Sequence, residues 1–333
     1  MKILIVGLGS MGKRRIRNMQ YLRQEEIIGF DPREDRCKEV LEKYGVRSFQ
    51  DINQALKEKP NAMIISTPPD LHMAYAKIAI KNNIHFFTEA SVVQDDMLEV
   101  IKMLEKNDIV GLPSCTMRYH PIVKMIKTIL EKNIIGKPLS FLYHSGQYLP
   151  DWHPWEDYRK FYVAKKETGA CREIVPFELI WLTDLFGKIK TVSGHKSKVS
   201  HLEVDIDDIY NILLEFENGM ESTLTVDVIA RFPFRQLKIL GEKGVILADW
   251  SEKNVKYYTN ENGWTENKVD DGIVEENYIH GEGPYIEEMS SFLDSIQKKI
   301  EQPYTFKEDL QILKILEIIE SSSESGLKKN VGN

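Results

Sequence analysis

Over the first third of the chain, short apolar runs alternate with amphipathic stretches. Residues 2–6 are an apolar, largely β-branched run that reads as a buried strand, and residues 13–24 carry Ile16, Met19 and Leu22 on one helical face. A second strand ends at Asp31. Helices at 33–44 and 50–57, a strand at 62–66, a helix at 71–82, a strand at 84–88, a helix at 94–106 and a strand at 109–113 follow. Strand and helix taken in turn predict a parallel, doubly wound sheet of the Rossmann type over residues 1–120.

The period changes after about residue 135. Residues 139–145, 209–216, 220–228, 236–240, 245–248 and 255–258 alternate or run apolar as strands, joined in places by hairpin turns such as Glu217-Asn-Gly219 and Gly241-Glu-Lys-Gly244. They predict an α/β domain over residues 121–325 with a large, mainly antiparallel open sheet and a helix at 174–186 beside it. Helices at 285–299 and 306–321 close the chain, the last one packing back on the first domain, and residues 326–333 read as a polar tail.

The turn between the first strand and helix has Gly7, Leu8, Gly9, Ser10, Met11 and Gly12 in a G-x-G-x-x-G spacing. In such a turn the first glycine allows the bend, the second lets backbone approach a pyrophosphate, and the third lets helix and strand pack closely. The anion then sits on unpaired N–H groups at the positive end of the helix. Asp31 falls at the distance expected of a group that grips the adenosine ribose, so NAD is expected over NADP. Arg33, two residues on, is placed to neutralise Asp31 or to hold a phosphate; the plainer alternative for Asp31 is a turn residue ahead of Pro32.

Bulk properties narrow the classes. A length of 333 residues suits two domains, and 42% hydrophobic with 29% charged residues is ordinary for a globular chain. A net charge of -7 with no clustered basic surface argues against nucleic acid. Cys37, Cys115 and Cys171 are odd in number and far apart, which suits reduced thiols in the cytoplasm. Lys2 before an apolar run opens like a signal peptide, but that run is only a strand long, so no secretory leader is expected, and no stretch is long enough to cross a membrane. No metal-binding spacing is present.

The order of these pieces resembles the Gfo/Idh/MocA oxidoreductases, named for glucose–fructose oxidoreductase and inositol dehydrogenase. The residues that carry the resemblance are Gly7-Leu-Gly-Ser-Met-Gly12, Ile65-Ser-Thr-Pro-Pro-Asp-Leu-His72, Arg118-Tyr-His-Pro121, Ile135-Gly-Lys-Pro138, Phe216-Glu-Asn-Gly219 and Gly241-Glu-Lys-Gly244. The resemblance implies hydride transfer between a nicotinamide and a ring carbon of a sugar, sugar acid, inositol or nucleotide sugar, and a homodimer or homotetramer assembled through the open sheet face. It also implies that Ser66, Thr67, Pro68, Pro69, His72, Glu89, Ala90 and Arg118 join the glycines and Asp31 around the cofactor.

Two departures stand out. The family's Glu-Lys-Pro is here Glu89-Ala90-Ser91, without the lysine. Its Asp and, four residues later, its basic His are here Glu173 and Phe177. Phenylalanine cannot accept a proton, and general acid–base help is worth ~10²–10⁴ in rate, so a replacement is needed. His153, Tyr158 and Glu173 are the candidates. They lie in or next to an aromatic stretch, residues 147–162, whose rings suit either a sugar face or packing in a core or interface. Tyr148, Trp155 and Arg159 in that stretch, with Arg118 and Arg172, are candidate substrate contacts. Two other readings remain: an NAD-retaining, redox-neutral lyase or epimerase on a sugar, and a nucleotide-binding protein without catalysis.

Overall fold

The computed structural model describes residues 1–152, 156–275 and 281–332. His153 and Trp155, both singled out above, lie outside them. The chain divides into two compact units, Met1–Thr116 with Gly272–Gln311, and Met117–Asp271 with Ile312–Asn333.

In the first unit the elements are β1 (Ile3–Val6), α1 (Ser10–Tyr21), β2 (Ile27–Phe30), α2 (Glu34–Tyr44), β3 (Arg47–Phe49), α3 (Ile52–Lys57), β4 (Ala62–Ile65), α4 (His72–Lys81), β5 (His85–Thr88), α5 (Met97–Leu104) and β6 (Gly111–Pro113). All six strands are parallel, in the order β3-β2-β1-β4-β5-β6. β1, β2 and β4 are buried along their whole length, as a parallel sheet covered on both faces requires. Ile3, Ile5, Ile16, Met19, Ile64 and Phe87 share one core. The short β3, with Arg47 exposed, escapes the hydrophobic pattern because three residues cannot display a period.

The second unit holds α6 (Pro121–Glu131), β7 (Pro138–Tyr148), α7 (Cys171–Phe186), β8 (Ile189–Ser197), β9 (Ile209–Phe216), β10 (Glu221–Asp227), β11 (Ile229–Gly241), β12 (Gly244–Asp249), β13 (Asn254–Thr259) and β14 (Gly263–Lys268). With β15 (Lys329–Asn330) these strands make a nine-stranded sheet in the order β14-β13-β12-β11-β7-β10-β9-β8-β15. It is antiparallel except where β10 runs parallel to β7. One face carries Phe141, Tyr143, Leu214, Phe216 and Ile239 into the core, where Tyr143 meets Trp181 of α7 edge-on at 5.2 Å. The alternate positions Leu142 and Leu213 are exposed.

Three features differ from the sequence reading. α8 (Gly283–Ile296) places Met289, Phe292 and Leu293 in the core of the first unit, so residues 121–325 are not one continuous domain. The end of the chain is not a free polar tail: Lys329 and Asn330 pair with Val192 and Thr191 of β8, beside an ion pair of Lys328 with Glu215 at 2.6 Å. Backbone bonds hold that strand, and they leave no apolar mark in the sequence. β8, β14 and α6 were not expected either; β14 in particular alternates among polar residues at the sheet edge. The final helix, α9 (Phe306–Ser325), begins with Phe306 against Phe86, ring centroids 5.7 Å apart.

Candidate functional site

The β1–α1 turn is shaped by its glycines for separate reasons. Gly7 has φ +88°, and a Cβ there would stand 2.5 Å from the Ser66 carbonyl oxygen; one on Gly12 would stand 1.9 Å from the Gly7 carbonyl. Gly9 differs. The three atoms nearest a Cβ on it all belong to the Arg36 guanidinium, the closest at 3.5 Å, an ordinary contact. Packing within the protein therefore leaves a cradle at Gly9 that a side chain would fill. Behind it α1 starts at Ser10 and Met11 with no capping side chain and no acidic residue in its first turn. An uncapped helix amino end beside a bare backbone is a fit for a pyrophosphate.

Asp31 follows β2 and is 2% exposed. Its Oδ2 accepts the Leu8 N–H at 2.9 Å and faces Arg36 Nη1 at 3.3 Å, and its Oδ1 accepts the Arg33 N–H at 2.9 Å. The Arg33 side chain turns instead to Asp35, with bonds of 3.1 and 2.5 Å. The arginine beside Asp31 is thus Arg36, one helical turn later than the sequence suggests.

Past β4, Ser66 Oγ donates to Glu89 Oε1 at 2.8 Å, and His72 Nε2 meets the Thr67 carbonyl at 2.9 Å. Pro68 and Pro69 end the strand, and Pro69 opens a short 3-10 turn. His72 is buried, and burial lowers its pKa, so it is a neutral imidazole bracing this loop. Glu89 leaves β5 into a buried network that the sequence reading did not find. Arg15, fully buried on α1, gives Nε and Nη2 to Glu89 at 2.8 and 2.6 Å, and Nη2 to Glu288 at 3.0 Å. Glu288 on α8 also accepts Ser114 Oγ, the Cys115 N–H and Thr116 Oγ1 at 2.7–2.9 Å. Burial pushes Glu89 upward, but the Arg15 charge and hydrogen bonds outweigh it and hold it below its ordinary range. Ala90 next to it offers no titratable group. In sequence Arg15 is one of several arginines on a basic helix, with nothing local to mark it as buried.

In the second unit the turn before α7 is tightly made. A Cβ on Gly169 would sit 2.0 Å from the Val163 carbonyl, Ala170 takes φ +56°, and Thr168 Oγ1 donates to the Tyr162 carbonyl at 2.8 Å. This pins residues 162–170 to one another. Tyr162 Oη consequently reaches Glu173, in the first turn of α7, and donates to its Oε1 at 3.0 Å. Among the described residues the other carboxyl oxygen, Oε2, is enclosed and has no hydrogen-bond partner, although the Glu173 residue as a whole is only half-buried. Burial raises its pKa to about 7, with the Tyr162 bond pulling the other way. Phe177 lies four residues on, along the same helical face.

The other candidates are engaged elsewhere. Tyr158 Oη accepts the Glu203 N–H at 3.3 Å. Arg159, exposed, pairs with Asp157 at 2.8 Å and Glu203 at 2.6 Å. Arg172 holds Glu320 of α9 at 2.9 Å, and Arg118 lies 3.7 Å from Asp184. Tyr148 lies under the Arg231 guanidinium, 3.8 Å from its ring centroid. In the first unit single contacts link Leu8 to Asp31, Ser66 to Glu89 and His72 to Thr67, whereas Tyr158, Glu173, Arg118 and Arg172 each have separate partners. Tyr162 was read only as part of the aromatic stretch; its place eleven residues before Glu173 carried no pairing signal. Among the described residues there is no cluster of three metal-ligating side chains, and no helix is long and apolar enough to cross a membrane.

The Rossmann order, the glycine cradle and Asp31 define a dinucleotide-binding oxidoreductase fold. Residues 1–111 match the model of the oxidoreductase family with an NAD-binding Rossmann fold, and residues 123–247 match the GFO/IDH/MocA C-terminal domain. The chain belongs to the Gfo/Idh/MocA family of oxidoreductases. It is 24% identical over 320 residues to myo-inositol 2-dehydrogenase of Thermotoga maritima, covering 93% of this chain and 92% of that one. It is 25% identical to UDP-N-acetylglucosamine 3-dehydrogenase of Acidithiobacillus ferrooxidans, over 78% of this chain and 77% of that one. Among solved structures, levoglucosan dehydrogenase in complex with NADH superposes with a TM-score of 0.86 at 18% identity, over 100% of this chain and 99% of that one.

Proposed function

We propose that this oxidoreductase uses NAD to oxidise or reduce a ring carbon of a sugar, sugar acid, inositol or nucleotide sugar, with Glu173 as its acid–base group. The observation that carries this reading is the Glu173 carboxyl: Oε1 is fixed by Tyr162, Oε2 is enclosed without a partner among the described residues, and its pKa is raised to about 7 by burial. A group that titrates near working pH is suited both to take and to return a proton. Its neighbour Phe177 cannot do so, and Ala90 stands where the family has its lysine.

In this reading the first unit serves the cofactor. The backbone of Gly9, Ser10, Met11 and Gly12 holds the pyrophosphate, Asp31 the adenosine ribose, and Ser66 to Pro69 with Glu89 the nicotinamide half. Bound NAD supplies the hydride acceptor or donor. Glu173 Oε2 receives the hydroxyl proton as the alcohol is oxidised and returns it in the reverse direction. Tyr162 keeps the carboxyl oriented, and Arg15 keeps Glu89 ionised and fixed. Arg159 and Arg172 act as struts, since their forks are given to carboxylates of the protein. Tyr148 remains a ring for a sugar face.

Several finer points belong to the same proposal. NAD is preferred over NADP because of Asp31. The chain is cytoplasmic, in keeping with its three free cysteines. It forms a homodimer or homotetramer through the open sheet face, where Leu142 and Leu213 are exposed. The test is the appearance of reduced nicotinamide when the purified protein and NAD meet a panel of inositols, hexoses, uronic acids and nucleotide sugars. A signal that Glu173→Gln abolishes supports the proposal. If every well stays silent while NAD binds, net dehydrogenation is wrong, and turnover of a sugar without net reduced nicotinamide would identify a redox-neutral lyase or epimerase.

A further inference from the structure

The first turn of α9 is fixed from several sides. Glu308 Oε2 accepts the Thr305 N–H and Oγ1, both at 2.8 Å, and Thr305 Oγ1 accepts the Glu308 N–H at 3.3 Å, so the helix has a complete capping box. Phe306 lies on Phe86 of β5, and Lys307 pairs with Glu105 at 2.7 Å. Asp309 in that turn is therefore not needed as a cap. Its side chain turns inward, where the residue is 1% exposed and Oδ1 accepts the Tyr304 hydroxyl at 2.9 Å.

Across from it runs the exit of β5. The Glu89 N–H still donates to the Ile65 carbonyl at 3.1 Å, but residues 90–94 are in neither helix nor strand. Ser91 in that stretch is 5% exposed. Ser91 Oγ and Asp309 Oδ2 are both enclosed, and among the described residues neither has a hydrogen-bond partner. Burial raises the Asp309 pKa to about 6, the Ser91 hydroxyl and the Tyr304 phenol pull it back, and the neighbouring Glu308 charge raises it further. Hydroxyl and carboxyl thus face each other just short of a made bond. Two buried polar groups left in this way carry a desolvation cost that a small movement recovers. The helix turn is anchored, so the side free to move is the irregular stretch, which follows directly on Glu89.

We propose that Asp309 is a positioning residue of the cofactor site, and that the Ser91 hydroxyl closes onto its carboxylate when NAD is seated, fixing the chain at Ala90 and Ser91 beside the nicotinamide half. This rests on the dinucleotide-site reading above and concerns how its β5 side is ordered. The closed bond favours the ionised carboxyl, so seating NAD lowers the Asp309 pKa and releases a proton, and NAD affinity rises with pH until Asp309 is ionised in the free protein as well.

The test is calorimetric titration of wild type, Asp309→Asn and Ser91→Ala with NAD between about pH 5 and pH 8, with no substrate present. Wild type should bind NAD about five- to tenfold more weakly at the acid end, and in buffers of different ionisation enthalpy it should release about half a proton per NAD near pH 5.5. Both variants should lose the pH dependence and the proton release. Ser91→Ala should also bind NAD about five- to tenfold more weakly than wild type at pH 8. Retained NAD binding at that pH shows that the variants fold, and Ser91→Ala, which leaves the carboxyl in place, decides the matter if Asp309→Asn does not. A level wild-type profile, or a pH dependence that a folded variant keeps, overturns the role of Asp309 and leaves the NAD site standing. Failure of wild type to bind NAD at any pH overturns the dinucleotide-site reading and this inference together.

Discussion

Glu89 at the end of β5 and Glu173 at the start of α7 are both carboxylates drawn away from water, and they differ in the company they keep. Glu89 has a buried guanidinium on two of its lone pairs and the Ser66 hydroxyl on another. Among the described residues Glu173 has one phenol and no cation, and its second oxygen has no partner. The same desolvation acts on both. With Arg15 opposing it Glu89 stays ionised, whereas without such a partner Glu173 rises to about 7. Glu178, five residues after Glu173 on the same helix, falls on the Glu89 side of the comparison: it is fully buried and bonded to Arg235, Tyr143 and Trp181 at 2.7–2.9 Å. A buried acid with a full set of partners is scaffold, and one left half-satisfied is a candidate for chemistry.

The comparison breaks most visibly through activity. Glu173→Gln keeps the shape and removes the titration, so kcat should fall by ~10²–10⁴ with the NAD dissociation constant unchanged. A fall of less than about tenfold would remove Glu173 from proton transfer. Next in size is Arg15→Met, which strands Glu89 and Glu288 without a cation. Urea unfolding should show a loss of about 3–5 kcal/mol, and an unchanged midpoint would mean that the network holds no paired charge.

The pH dependence of stability separates the two carboxylates again. Glu173 has a folded pKa near 7 against an ordinary 4.5. Between those values the folded state holds a proton that the unfolded chain has released, so stability falls as pH rises from 4.5 to 7 and is level above. Melting curves should show Glu173→Gln gaining on wild type across that window, by about 2 kcal/mol after allowance for partial exposure. Parallel curves at every pH would show that Glu173 is hydrated in solution. The smallest effect is expected at Arg159, whose partners Asp157 and Glu203 lie at the surface. Arg159→Ala should leave the unfolding midpoint nearly unchanged, and a rise in KM above about tenfold would instead return Arg159 to the substrate.

The amino-acid sequence was enough for the parallel sheet, the glycine turn, Asp31 and the change to antiparallel strands. Each of those rests on local periodicity or on a backbone conformation that a short motif imposes. It also located Glu173 and the two losses, at Ala90 and Phe177. The tertiary structure alone decided that Arg15 is buried between Glu89 and Glu288, 74 and 273 residues away, and that Arg36 rather than Arg33 faces Asp31. It likewise drew α8 into the first unit and Lys329–Asn330 onto β8. Whether a carboxyl at position 173 is an inert surface acid or a group that titrates near 7 depends on the packing of residues 162–170 around it. Desolvation and charge pairing are set by distances between residues remote in the chain, and periodicity along the chain carries no record of them.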